Sequence, residues 1–263
     1  MWSQKTCRVN SIQTSYWDNG GDTKDTLIFL PGGNASGMHT KHLDEELNSN
    51  IRFVVPDYPG RGKSDSLHET SNFQNLAKHL FSLFEYLKLK DLTLIGHSFG
   101  WAIADEVVRQ NKSLKIKHLV YIDPGEFIWQ PLRLPLKILF YLPIHSQKLR
   151  ELFWYVICKV FHIFEYHSIA KDKLKDLGEQ WMATLNYKIP NHQSSISTLL
   201  VRSMHDAIID KHNVEKVKRI YPNNWEIFLP IPHIMDYEDR DGKVRKILFP
   251  AISKEMGVNI LLH

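Results

Sequence analysis

Leu92-Thr93-Leu94-Ile95-Gly96-His97-Ser98-Phe99-Gly100-Trp101-Ala102-Ile103-Ala104-Asp105-Glu106-Val107-Val108 compresses a strand, a turn and a helix into one short stretch. The run Leu92–Ile95 suits a buried strand, Trp101–Val108 has helical spacing, and Gly96–Gly100 turns one into the other. A serine in so sharp a turn has a strained backbone and close neighbours, which requires small residues two positions before it and two after it. Glycine fills both places. Ser98 therefore stands clear of the sheet as a candidate nucleophile. The amide of Phe99 and the positive end of the helix dipole point to where an oxyanion would form.

Similar units lie on either side. Asp25–Pro31 (DTLIFLP) is closed by Gly32-Gly33, Ile51–Asp57 (IRFVVPD) by Tyr58-Pro59-Gly60, and Lys117–Ile122 (KHLVYI) by Asp123-Pro124-Gly125. All three read as buried strands. Between the first two, His39–Leu47 is compatible with a helix, and Ser71–Leu87 carries the helical stripe Phe73, Leu76, Leu80, Phe84 and Leu87. Strands joined by helical crossovers predict an α/β fold, a mostly parallel sheet flanked by helices. The pattern changes after Gly125. From Phe127 to Phe164, 24 of 38 residues are apolar, with helical spacing and breaks at Pro131, Pro135 and Pro143, so the segment reads as an inserted all-helical cap. Strands return at Thr198–Val201 and Trp225–Leu229, with helices at Asn213–Ile220 and Val244–Met256. The expected organisation is a core of residues 1–125 and 197–263, with a cap over 126–196.

A serine hydroxyl needs a histidine to take its proton and a carboxylate to orient that histidine. Of fourteen histidines, His233 follows the strand Trp225–Leu229 at the sheet edge where Ser98 emerges, which makes it the candidate base. His97 points elsewhere, and His39, His42, His162, His167 and His192 are expected on helix or loop surfaces. Asp206, in the loop after Thr198–Val201, is the candidate acid; Asp123, which ends at the same rim, is its rival. A second oxyanion amide is expected from Gly33, in the glycine-bearing loop that leaves the earlier strand.

Composition narrows the function classes. With 263 residues, 43% of them apolar, the chain can bury a sizeable core. Its net charge is only +4 and no five like charges run together, so no nucleic-acid groove is expected. Cys7 and Cys158 cannot build a disulfide framework, and the opening MWSQKTCRVNSIQ lacks the order of a signal peptide, so the expectation is a cytoplasmic protein. No uncharged apolar run approaches the ~18 residues of a membrane span. Metal-ligand spacings and nucleotide-binding loops are absent, so neither metal nor cofactor is expected.

GHSFG, together with LPGG at residues 30–33, the segment Asp57-Tyr58-Pro59-Gly60-Arg61-Gly62-Lys63-Ser64-Asp65 and the run TLLVRSMHD at 198–206, resembles the α/β-hydrolase superfamily over nearly the whole chain. Pro31 stands where a histidine often precedes the oxyanion glycine, while Ser203 and Pro232 replace frequent glycines before the acid and the base. The resemblance implies that Asp57–Asp65 shapes the wall beneath the site and that the cap chooses the substrate. In the cap, basic residues number nine and acidic ones six. One reading is a lid whose apolar inner face, with Trp129, Phe153 and Trp154, joins Asn34 in binding an acyl or aromatic small molecule. Its basic outer face would then lie near anionic lipid. The other reading is a small helical subdomain with its own core. The expected activity is serine hydrolysis of a carboxylic ester or thioester; an acyltransferase, a carbon-carbon bond hydrolase and a slow-turnover ligand receptor on the same scaffold stay open. The oligomeric state is not legible in the sequence.

Overall fold

The computed structural model describes residues 2–22, 25–33, 35–40, 43–47, 50–126, 134–138, 141, 146, 148–149, 173–206, 209, 211–230 and 243–257. They contain an eight-stranded sheet: β1 (Ser3–Val9), β2 (Ile12–Asp18), β3 (Thr26–Leu30), β4 (Arg52–Pro56), β5 (Leu92–His97), β6 (Ile116–Ile122), β7 (Ser197–Ser203) and β8 (Asn224–Leu229). The spatial order is β1-β2-β4-β3-β5-β6-β7-β8. The first two strands form an antiparallel hairpin whose second strand pairs antiparallel with β4, and every other pairing is parallel. Helices α1 (Phe73–Tyr86), α2 (Phe99–Gln110), α3 (Leu174–Asn186), α4 (Lys211–Ile220) and α5 (Lys243–Met256) complete an α/β fold.

The period-two alternation of the strands divides the core. Ile28 and Leu30 of β3 join Leu76, Leu80 and Leu83 of α1 and Ile103 and Val107 of α2 on one face. Leu27 and Phe29 join Leu248, Phe249 and Ile252 of α5 on the other. The sheet is therefore covered on both sides, which is why its central strands are apolar throughout and not alternating.

Two local expectations differ. Residues 3–18, for which the sequence suggested no element, form the β1–β2 hairpin. Its edge strand is mostly polar and half-exposed, and its turn residues Asn10 and Ser11 both have positive φ, 50° and 66°, as a tight two-residue hairpin requires. The segment His39–Leu47 is not one helix: two short 3-10 turns, Gly37–Thr40 and Leu43–Glu46, take its place. The Gly37 amide donates to Asp57 Oδ1 at 2.7 Å, and the Thr40 hydroxyl donates to the Gly37 carbonyl at 2.7 Å. The first bond ties that turn to the residue after β4, and the second closes it on itself.

The strand order locates the site. The chain leaves β3 toward β4 on one side and leaves β5 toward α2 and β6 on the other. Such a reversal opens a crevice at the carboxyl ends of the strands. The loop after β3 and Ser98 after β5 share that crevice. Helix α3 borders it, tied by one polar face to the loop following β4. Asp176 accepts hydrogen bonds from Ser66 Oγ (2.5 Å) and Ser71 Oγ (2.8 Å), and Glu179 accepts one from the Ser71 amide (2.7 Å). Just before the helix, Lys173 donates to the carbonyls of Gly62 and Ser64. Among the described residues, no helix is long and apolar enough to cross a membrane.

Candidate active site

Ser98 sits at φ 49°, ψ −113°, in the left-handed region. A non-glycine residue there costs on the order of 1–3 kcal/mol, a strain that persists only where the surroundings impose it. They do so here. The Ser98 amide donates to the Ile122 carbonyl of β6 (2.9 Å), and its carbonyl accepts from the Trp101 amide (3.1 Å). A Cβ built on Gly100 would lie 2.0 Å from the Leu30 carbonyl oxygen, and one on Gly96 2.7 Å from Trp101 Cα. Both glycines are therefore needed because backbone passes too close for any side chain. As the first residue of α2, Phe99 has an amide with no acceptor inside the helix.

Gly33 is exposed, facing α3, where a Cβ in its place would meet the Trp181 ring at 3.9 Å. The Tyr58 hydroxyl pins the same loop by donating to the Pro31 carbonyl at 2.9 Å. The two rival carboxylates have different surroundings. Asp123, 1% exposed and at φ 48°, ends β6. It accepts hydrogen bonds from the Ser203 amide (2.7 Å) and the Ser203 hydroxyl (2.5 Å), stitching β6 to the end of β7. The serine that replaces a frequent glycine before the acid thus has a partner of its own. Asp206 lies three residues past β7, partly exposed, its amide donating to the Ser203 carbonyl (3.3 Å) and its Oδ1 accepting from the Ile209 amide (3.0 Å).

Ser98 opens on a small cavity lined chiefly by Phe73, Phe99, Trp101, Thr184, Tyr187 and Ile209. Thr184 and Tyr187, at the carboxyl end of α3, were not foreseen; the helical spacing of residues 174–186 was the signal available for them. Of the expected site residues, Ser98, Phe99, Gly33 and Asp206 are described on the carboxyl side of the sheet. His233, Asn34, Trp129, Phe153 and Trp154 lie outside the described residues. Among the described residues, no group of three or more histidine, cysteine or acidic side chains is placed to hold a metal ion.

Behind α2 lies a buried polar cluster. Tyr221 donates to Asp105 Oδ1 (2.5 Å), the hydroxyls of Tyr121 and Tyr221 are 3.0 Å apart, and His192 Nε2 is 3.4 Å from the same carboxylate oxygen. Burial pushes the Asp105 carboxyl up to about 7, against the pull of the Tyr221 hydrogen bond and of Arg109. His192, expected on a surface, is instead a half-buried neighbour of this cluster, and burial holds its pKa down. Tyr187 and Trp101, whose rings meet edge-on at 5.6 Å, separate the cluster from the cavity.

Comparison with known proteins agrees with this architecture. The chain is 34% identical over 98 residues to the magnesium-chelatase 30 kDa subunit of Rhodobacter capsulatus, covering 37% of this chain and 34% of that protein. It is 27% identical over 126 residues to coelenterazine h 2-monooxygenase of Renilla reniformis, covering 46% and 40%. The aligned regions thus span between a third and two fifths of these curated relatives. An esterase from Exiguobacterium antarcticum superposes with a TM-score of 0.69 at 15% identity, covering 95% of this chain and 99% of that one, a likeness of fold. The sequence pattern of the alpha/beta hydrolase family matches residues 27–219. The strained serine between β5 and α2, the parallel sheet and this match lead to one assignment: the chain belongs to the alpha/beta hydrolase family.

Proposed function

We propose that this protein is a serine hydrolase that cleaves a carboxylic ester or thioester through an acyl-enzyme intermediate. The observation that carries the reading is the backbone of Ser98, held at positive φ on the turn into α2 beside the exposed loop that bears Gly33. Such strain presents a hydroxyl at the mouth of the crevice and aims the free amide of Phe99 at the same space. Ser98 Oγ attacks the carbonyl carbon while His233 takes its proton, and Asp206 holds His233 in the required tautomer. The amides of Gly33 and Phe99 bind the tetrahedral oxyanion. The proton passes from His233 to the leaving alkoxide or thiolate; water then attacks the acyl-serine with His233 again acting as base, and His233 returns that proton to Ser98 Oγ as the acid is released.

Burial and position support Asp206 over Asp123, whose carboxylate is engaged with Ser203 inside the sheet. The aromatic rings around Ser98 favour an apolar acyl or aromatic group. A fluorophosphonate probe tests the reading on wild type, Ser98→Ala and His233→Ala, beside p-nitrophenyl esters of graded chain length. The expected result is covalent labelling that vanishes in Ser98→Ala and slows at least ~100-fold in His233→Ala. An unlabelled wild type, or labelling indifferent to His233→Ala, would overturn it.

A further inference from the structure

Arg61 is 2% exposed, yet it lies in the loop after β4 with its guanidinium turned into the molecule. One nitrogen, Nη1, donates to the carbonyls of both Gly32 (3.0 Å) and Ala35 (3.1 Å), which bracket the turn after β3. Nε donates to Gln180 Oε1 of α3 (2.8 Å), and Gln180 Nε2 in turn donates to the Pro59 carbonyl (3.0 Å). The guanidinium carbon lies 4.8 Å from the centre of the Phe99 ring and 5.0 Å from that of Tyr58. Arg61 therefore holds the backbone of the loop that bears Gly33 and packs on the side-chain ring of Phe99, the residue whose amide opens α2.

Peptide geometry turns these contacts into an orientation. In a trans peptide unit the carbonyl and the following N–H point in opposite directions. Drawing the Gly32 carbonyl toward Arg61 directs the Gly33 N–H away from it, to the exposed side of the loop. Glycines at 32 and 33 make that peptide easy to rotate; the Ala35 amide closes the turn on the same carbonyl at 3.4 Å, and Arg61 adds the shorter bond at 3.0 Å. A planar guanidinium with several fixed donors can hold two carbonyls and the Gln180 amide oxygen together, which a lysine ammonium on a flexible stem cannot do in the same geometry.

We propose that Arg61 is a positioning residue for the oxyanion hole, locking the Gly32–Gly33 peptide with its N–H toward the substrate carbonyl and coupling that lock to helix α3 through Gln180. The proposal rests on the serine-hydrolase reading above. Because the oxyanion forms only in the transition state, the loss of this lock lowers kcat and leaves KM nearly unchanged. Removal of a whole oxyanion donor costs about 10²–10³-fold in rate, so misorientation of one is expected to cost about 10–100-fold.

The test measures kcat and KM for p-nitrophenyl butyrate, the rate of fluorophosphonate labelling and the melting temperature for wild type, Arg61→Lys, Arg61→Met and Gln180→Leu. Expected are falls in kcat and labelling rate of about 10–100-fold for Arg61→Met and about tenfold for Arg61→Lys and Gln180→Leu, with KM within about threefold. Rates should follow this order even where melting temperatures do not. If Arg61→Met does not fold, the other two variants carry the measurement. Labelling of both Arg61→Lys and Gln180→Leu within threefold of wild type, or a loss confined to KM, overturns the proposal while leaving the hydrolase reading intact. An unlabelled wild type overturns the hydrolase reading first, and this inference with it.

Discussion

Asp105→Asn should remove a pH dependence that the buried cluster behind α2 imposes on stability. In the folded chain this carboxyl holds its proton up to about 7, against 3.8 for an ordinary aspartate. Between those values the folded state binds a proton that the unfolded chain releases, so stability falls as pH rises through the window. Each pH unit between the two values is worth about 1.36 kcal/mol, so the full effect is about 4 kcal/mol, of which roughly 2–3 kcal/mol falls between about pH 5 and pH 7.5. His79 acts in the opposite direction. Burial against Thr14 lowers its pKa from 6.5 to about 4, so its contribution rises with pH over that range and masks the carboxyl in the wild-type profile. The informative quantity is therefore the stability of wild type minus that of Asp105→Asn, from urea unfolding at a series of pH values. The side chains facing this carboxyl, Tyr121, Tyr221, His192, Glu106 and Arg109, are common to both proteins. The difference should fall by about 2–3 kcal/mol from about pH 5 to pH 7.5 and level off above. A difference that stays constant within about 0.5 kcal/mol, or rises, would refute the argument that burial keeps Asp105 protonated.

Three substitutions probe the elbow and the carboxylates. Gly100→Ala puts a methyl group 2.0 Å from the Leu30 carbonyl oxygen, a backbone atom that cannot yield cheaply; it should cost more than about 3 kcal/mol in urea unfolding, and a loss below about 1 kcal/mol would show that α2 can move off β3. Asp206→Asn should lower kcat about 10³–10⁴-fold with little change in melting temperature, as expected for a carboxylate that orients the base. Asp123→Asn, which disturbs the buried bonds to Ser203, should lower the melting temperature by several degrees and keep kcat within about tenfold. The opposite pattern in steady-state assays and thermal melts would make Asp123 the orienting acid.

How much of this was legible in the sequence differs from element to element. The runs that became β3 to β8, and the helices α1, α2, α4 and α5, announced themselves because covered strands need apolar residues throughout and surface helices need a stripe. The β1–β2 hairpin did not: Ser3–Val9 is an edge strand with polar, half-exposed side chains, stabilised by main-chain pairing with β2 that leaves no apolar signature. His39–Leu47 misled because its helical spacing is local, whereas the short 3-10 turns found there are anchored through Gly37 to Asp57, far along the chain.

The site divides in the same way. That Ser98 would be strained and stand clear of the sheet followed from five consecutive residues, since the demand for glycine at 96 and 100 arises within one turn of chain, and the observed φ of 49° is that demand realised. The chain alone thus determined a candidate nucleophile, a parallel α/β architecture and the edge of the sheet on which chemistry is possible. Only the tertiary structure decided which loops share the crevice, because that depends on β3 lying between β4 and β5. It also put Thr184 and Tyr187 beside Ser98, tied Asp123 to Ser203 and turned Arg61 inward onto the loop of Gly32. These are contacts between residues dozens of positions apart, and no local pattern of polarity encodes them; they exist only once the sheet has brought its loops together.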